Sequence, residues 1–191
     1  RRASSSAVAL PIPPTPTMLM LGTDAMGQPP GADAEGGGKL ALVGGRGGGL
    51  GGSLHAAVLD GGGRFPTLPE APKAQLAAIA ELARSDHVTA MHDIGDGGLL
   101  VTLLELLDPH VGGAVELPSQ DALFTEAPAR VLVETMDMPA LQREIGDRLP
   151  AEVIGHTEVG GPLSIAAGAE AVTIDLPRRQ AVRSRLTDRL A

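Results

Sequence analysis

The chain has 191 residues, with no Cys, Trp or Tyr, two Phe, 26 Gly and 16 Pro. It is long enough for one domain with a sizeable core, which must be built from Leu, Val, Ile, Ala and Met. Lack of cysteine excludes disulfides and thiolate chemistry and fits a reducing, cytoplasmic setting. A formal charge of −8 with almost no aromatic stacking platforms argues against nucleic acid as partner, and no apolar run approaches a membrane span.

Residues 1–9 read as a tail. Arg1-Arg2 resembles the start of an export signal, but Pro11, Pro13, Pro14 and Pro16 break any apolar helix behind it. Beginning without Met, the chain is expected to be processed or cut from something longer. Leu10 to Gly22 starts as a proline-stiffened segment and becomes a strand over Thr17 to Leu21. Residues 23–38, rich in Gly, Pro, Ala and Asp, are expected to form a mobile loop. Lys39 to Val43 predicts a short apolar strand, and Ser53 to Leu59 one or two helical turns. Between them lies a glycine run in which Gly47-x-Gly49-x-x-Gly52 matches a dinucleotide fingerprint. The acidic second strand that such a fingerprint needs is replaced by a proline loop around Glu70. Two readings stay open for the run: a flexible surface loop, or a cradle for a phosphate or substrate. Ser53 and His55 have the residue types of a nucleophile and its base, but no third member or oxyanion hole is visible.

Pro66, Pro69 and Pro72 mark a loop, and Ala74 to Arg84 predicts a helix. Val88 to Ile94 alternates and predicts a strand. A polar, glycine-rich turn follows, His92-Asp93-Ile94-Gly95-Asp96-Gly97-Gly98. A helix comes next, with Leu99, Leu100, Leu103, Leu104 and Leu107 expected on one face. Asp96 stands where an N-cap belongs. Free amides at such a helix start suit an anion or a metal-bound phosphate. The plainer alternative is that Asp96 only caps and His92 only packs. Asp93, directly after the strand, is a plausible magnesium ligand, because magnesium takes one or two carboxylates together with phosphate oxygens and waters. The five histidines show no helix-spaced pair of the kind zinc uses. Glu105 falls on the solvated side of the leucine helix.

Further on, Gly113 to Leu117 predicts an edge strand and Asp121 to Glu126 a short connection. Arg130 to Thr135 predicts a strand, and Leu141 to Leu149, with Pro139 near its start, a surface helix. Val153 to Val159 predicts a strand, Leu163 to Ala166 and Ala171 to Leu176 a hairpin through Gly168, and Arg178 to Leu190 a basic terminal helix. Strands and helices mix without strict alternation. The predicted class is therefore α+β, a mixed sheet with helices packed on it.

Several segments together resemble one family. MHDIGDGGLLVTLLELL is similar to the HDxSDGGL signature in the C-terminal domain of the aminoimidazole ribonucleotide synthetase superfamily. IPPTPTMLMLG resembles the end of that superfamily's ATP-binding domain, and KLALVG followed by LGGSLHAAVL is similar in order and spacing. LFTEAPARVLVET and VIGHTEVGGPLSI resemble segments typical of its formylglycinamidine ribonucleotide synthetase branch, rather than of selenophosphate synthetase, thiamine monophosphate kinase or the hydrogenase-maturation member. The resemblance runs from about Leu10 to Leu176.

It implies a division into 1–22, a tail and the end of the ATP-binding domain; 23–38, a loop; and 39–191, the C-terminal-like α+β domain. It implies amidation of formylglycinamide ribonucleotide in purine synthesis, with ATP or ADP and magnesium as cofactors. The partners it implies are an ATP-binding half and a glutaminase domain or subunit. By residue, Asp93 matches a magnesium–nucleotide ligand; His92, Asp96, Gly97 and Gly98 shape the same turn; Gly51, Gly52 and Ser53 match a segment near the substrate and phosphate; Glu126 and Arg130 match structural positions. No residue is assigned as catalytic. The sequence departs from the pattern in several places: Gly95 stands for a serine, Leu54 and His55 for an acid and an aromatic, Ala127 and Ala129 for small polar residues, and the usual C-terminal tryptophan is missing. Lacking most of an ATP-binding domain, the chain is not expected to run the reaction alone, and its exposed docking face is expected to pair with another copy or aggregate. The same departures allow a scaffold that kept the fold and lost the chemistry.

Overall fold

The computed structural model describes residues 33–59, 61–107, 110–175, 177–178 and 181. The expected strand at 17–21 lies outside these residues, as does nearly all of the expected terminal helix. The elements in order are β1 (Lys39–Val43), α1 (Leu54–Val58), α2 (Pro72–Leu82), β2 (Ala90–Asp93), α3 (Gly98–Leu106), β3 (Val111–Leu117), α4 (Asp121–Phe124), β4 (Val131–Thr135), α5 (Met138–Ile145), a 3₁₀ turn (Gly146–Arg148), β5 (Ala151–Ala167) and β6 (Glu170–Ile174). They form one mixed sheet ordered β2–β4–β1–β5–β3, with β6 on β5.

Alternation along β1 divides the core in two. Leu40 and Leu42 join Leu132, Ile154 and the leucines of α3 on one face. Ala41 and Val43 join Val131, Val133 and the inner sides of α2 and α5 on the other. A strand buried on both faces reads as a continuous apolar run, as KLALV and RVLVET do. In α3 the buried residues are Leu99, Thr102, Leu103 and Leu106. Leu100 and Leu104 sit at the margin of the cluster, while Leu106 and Leu107 are deep in it. The buried stripe is therefore centred about a quarter of a turn from its expected position. Asp137 caps α5, its Oδ1 accepting from the Ala140 amide at 3.0 Å. The helix expected to lie on the surface buries Leu141 and Ile145.

Two expectations need correction. Gly113 to Leu117 does not form an edge. β3 pairs first with Gly155 to Val159, running oppositely, and then with Leu163 to Ala167, running alongside. β5 turns back at Gly160 and Gly161, both at positive φ, and β3 lies between its two arms. Glycines allow this: a Cβ on Gly155 would lie 2.0 Å from the Ala114 carbonyl oxygen, and one on Gly113 2.2 Å from that of His156. The second correction concerns residues 33–38, expected as the end of a mobile loop, which are tied to the sheet. The Glu35 and Gly36 amides donate to the Glu134 carboxylate at 2.8 and 3.0 Å. Thr89 and Thr157 donate their hydroxyls to the same group, and Ala34 is buried in the core. A carboxylate with no solvent exposure is retained here because four donors replace its water.

Candidate functional site

β2 delivers His92 and Asp93 to the end of the sheet, and the chain then turns sharply into α3. Thr102 fixes this junction: its hydroxyl lies 3.1 Å from the Asp93 carbonyl and 3.1 Å from that of Gly98. The Asp93 side chain points outward and is 76% exposed. His92 Nδ1 lies 2.8 Å from the Asp93 carbonyl oxygen. A carbonyl only accepts, so this nitrogen carries the proton. Nε2 faces Glu105 Oε2 at 3.5 Å, which forms an ion pair when the ring is protonated. Glu105 stays half exposed, in keeping with the solvated side expected for it.

Asp96 does not cap α3. The N-cap is Gly97, in the left-handed region at φ 84, with no side-chain cap. The reason is steric. A Cβ on Gly97 would lie 2.3 Å from Val101, and one on Gly98 2.7 Å from the Leu123 carbonyl oxygen. The chain enters the helix through a conformation only glycine adopts without strain, and Asp96 is left exposed on the outside of the turn. The Gly98 amide donates to the Gly95 carbonyl at 3.0 Å. The Gly97 amide donates to Glu126 Oε1 at 2.8 Å. Two amides that an anion would have used are therefore engaged internally.

The glycine run forms a second loop beside this turn. Ser53 is the N-cap of α1, its Oγ accepting from the Ala56 amide at 3.1 Å and donating to the Leu50 carbonyl at 2.7 Å. Its hydroxyl is buried and occupied, and His55 stacks on Phe124 with ring centroids 4.2 Å apart. The pair is not arranged as nucleophile and base. The Gly51 amide donates to the Arg64 carbonyl at 3.0 Å. A Cβ on Gly49 would lie 2.1 Å from that same oxygen, and Gly52 sits against the Phe65 ring. The run is packed against its own chain, so the glycines serve close backbone approach, not an open cradle.

Residues 123–130 hold both loops, and sequence reasoning assigned them only a structural part. Glu126 Oε1 accepts from the Leu54 amide at 2.8 Å as well as from Gly97. Arg130 donates from Nε to the Gly45 carbonyl and from a terminal nitrogen to the Thr125 carbonyl, each at 2.9 Å. Burial lowers the Arg130 guanidinium to about 10. Gln75 bridges the carbonyls of Gly44 and Ala129. Ala129 holds φ 57, the non-glycine residue at positive φ among those described. Of the expected site residues, Gly97 bonds directly to Glu126, and Ser53 adjoins Leu54, whose amide bonds to the same oxygen.

No group of three or more His, Asp or Glu gathers to hold a metal among the described residues. A magnesium ion that keeps its waters and nucleotide oxygens needs one protein carboxylate, and Asp93 offers one, exposed and at a strand end. A cavity of about 730 Å³ lies elsewhere, lined by Lys39 of β1 and by Glu116, Glu152, His156 and Thr173 on β3, β5 and β6. No helix among the described residues is long and apolar enough to cross a membrane.

The family model for AIR synthase related protein, C-terminal domain, matches residues 35–167. The chain is 38% identical over 192 residues to the phosphoribosylformylglycinamidine synthase subunit PurL of Halorubrum lacusprofundi, covering 95% of this chain and 25% of that protein. It is 41% identical over 165 residues to the subunit PurL of Halobacterium salinarum, covering 86% of this chain and 23% of that one. The chain thus spans about a quarter of the length of the curated relatives it matches. In structure it is similar to Thermotoga maritima PurL complexed with ATP, at TM-score 0.62 and 18% identity, over 78% of this chain and 27% of that one. That likeness shows the same mixed-sheet fold. With the family model covering most of its length, the chain belongs to the AIR synthase related, C-terminal-domain family.

Proposed function

We propose that this chain is the part of a phosphoribosylformylglycinamidine synthase that closes a shared nucleotide cleft, contributing to amidation of formylglycinamide ribonucleotide in cytoplasmic purine synthesis. The observation that carries the reading is the exposed Asp93 carboxylate, held at the end of β2 by the Thr102 bond to its carbonyl. Asp93 would hold magnesium; His92, Asp96, Gly97 and Gly98 would shape the turn that presents it; Gly51, Gly52 and Ser53 would form the neighbouring wall toward substrate. Magnesium bound there would neutralise charge on nucleotide phosphates. ATP or ADP would be held mainly by an ATP-binding half outside the described residues, with residues 1–22 ending that half, and ammonia would come from a glutaminase domain or subunit. T. maritima PurL has been solved with ADP and with FGAR, and within PurLQS; these complexes support the choice of ligands and partners.

The test is reconstitution. This chain, an ATP-binding half and a glutaminase are mixed with formylglycinamide ribonucleotide, glutamine and magnesium-ATP. Product is expected only from the full mixture. Amidation by this chain alone, or product from the mixture lacking it, overturns the reading. A second reading, a scaffold without chemistry, draws on the His55–Phe124 stack: His55, standing for the usual aromatic, is committed to packing. In that case the full mixture gives no product.

A further inference from the structure

We infer that Glu126 is a positioning residue that makes the two loops of the proposed site move as one, an inference that rests on the nucleotide reading above. One oxygen, Oε1, accepts from both the Leu54 amide, first residue of α1, and the Gly97 amide, at the entry to α3, each at 2.8 Å. The two nitrogens therefore stand within two hydrogen-bond lengths of each other, although 43 residues separate them in sequence. A carboxylate is suited to this role because it has lone pairs for two donors and its charge strengthens both bonds. Neither amide has a partner within its own helix at these positions, so Glu126 satisfies donors that helix geometry leaves open.

The surrounding contacts make the same connection by other means. Phe124 stacks on His55 of α1. Gly98 packs against the carbonyl of Leu123, and Gly47 against Ala127. Arg130 grips the Gly45 carbonyl, and its own carbonyl accepts from the Ile94 amide at 3.1 Å, two residues before Asp96. Residues 123–130 thus touch the glycine run on one side and the Asp93 turn on the other. Glu126 is the member whose single atom joins both. A ligand that orders one loop, through magnesium on Asp93, orders the other through this atom. Glu126 touches neither metal nor nucleotide in this account and acts through the loops.

Amide hydrogen exchange separates this from independent capping. In the chain alone, Glu126→Ala is expected to speed exchange at both Leu54 and Gly97, by about tenfold, the loss of one hydrogen bond at each site. Glu126→Gln, which keeps the acceptor oxygen and removes the charge, is expected to retain protection at both and serves if the alanine variant folds poorly. A change confined to one of the two amides overturns the shared bond. The chain is then paired with the ATP-binding half and given magnesium-ADP. In wild type and Glu126→Gln, both loops are expected to gain protection; in Glu126→Ala, only residues 93–98. Equal gain at Leu54 in Glu126→Ala overturns the positioning role while leaving the nucleotide reading intact. If the wild-type pair gains protection nowhere, the nucleotide reading fails and takes the positioning role with it.

Discussion

The glycine run at 44–52 and the turn at 93–98 look alike in sequence and differ in what they leave open. In the run, the amide of Gly51 and the space beside Gly49 are taken by the chain at Arg64, and the Ser53 hydroxyl is spent on the start of α1. In the turn, Gly97 and Gly98 are equally crowded, but the crowding pushes Asp93, Gly95 and Asp96 to the outside. Glycine density alone therefore does not identify a ligand loop. What distinguishes the turn is a carboxylate that the packing leaves facing solvent.

The largest effects should come from breaking the glycine packing in either loop. Gly49→Ala and Gly98→Ala each put a Cβ against a carbonyl oxygen at positive φ, and are expected to cost about 3 kcal/mol by denaturant unfolding. Glu126→Ala should come next, at about 1–3 kcal/mol, because two amides lose their acceptor. Gly95→Ser introduces the serine of the signature that this turn resembles and is expected to stay within about 0.5 kcal/mol of wild type. The nearest atom to its new Cβ is Asp93 Oδ2, at 3.7 Å. This contrast with Gly98, three residues away, tests whether the turn's inner and outer sides are correctly placed.

The smallest effect concerns Arg46, which leaves the glycine run to pair with Glu152. The hydrogen bond from Arg46 holds the Glu152 carboxyl below its usual range. A depressed carboxylate stabilises the fold above its unfolded value, and the contribution is lost as pH falls through the folded one. Melting temperature should thus be insensitive to Glu152→Gln at pH below the folded value and slightly lowered by it at neutral pH. The difference should vanish at high salt, since the pair is exposed.

Much of this architecture was legible because period-2 and doubly buried patterns are local. KLALV marks β1 residue for residue, and RVLVET marks β4 to within its first residue. Ser53 declares the start of α1 through ordinary capping chemistry. The position of β3 was not legible, because a strand enclosed by both arms of a folded-back β5 depends on pairing between distant segments. Asp96 misled for a related reason: cap preference favours it, but the packing of Val101 against Gly97 and the close approach of α4 to Gly98 require glycine at the next two positions. Glu126 matched a structural position in the sequence without revealing its partners, and nothing in the sequence marked Glu134. The partners of the two include backbone amides from segments 29 to 99 residues away, which no local pattern records.

On the proposed reading, Asp93 is presented by the fold for a ligand and is not needed by the fold itself. Calorimetric titration of magnesium-ADP into this chain paired with an ATP-binding half, for wild type and Asp93→Ala, tests it directly. Asp93→Ala is expected to melt within a few degrees of wild type, as an exposed side chain should, and to lose most of the magnesium-dependent affinity. Equal affinity in the two proteins, with magnesium required in both, would contradict it.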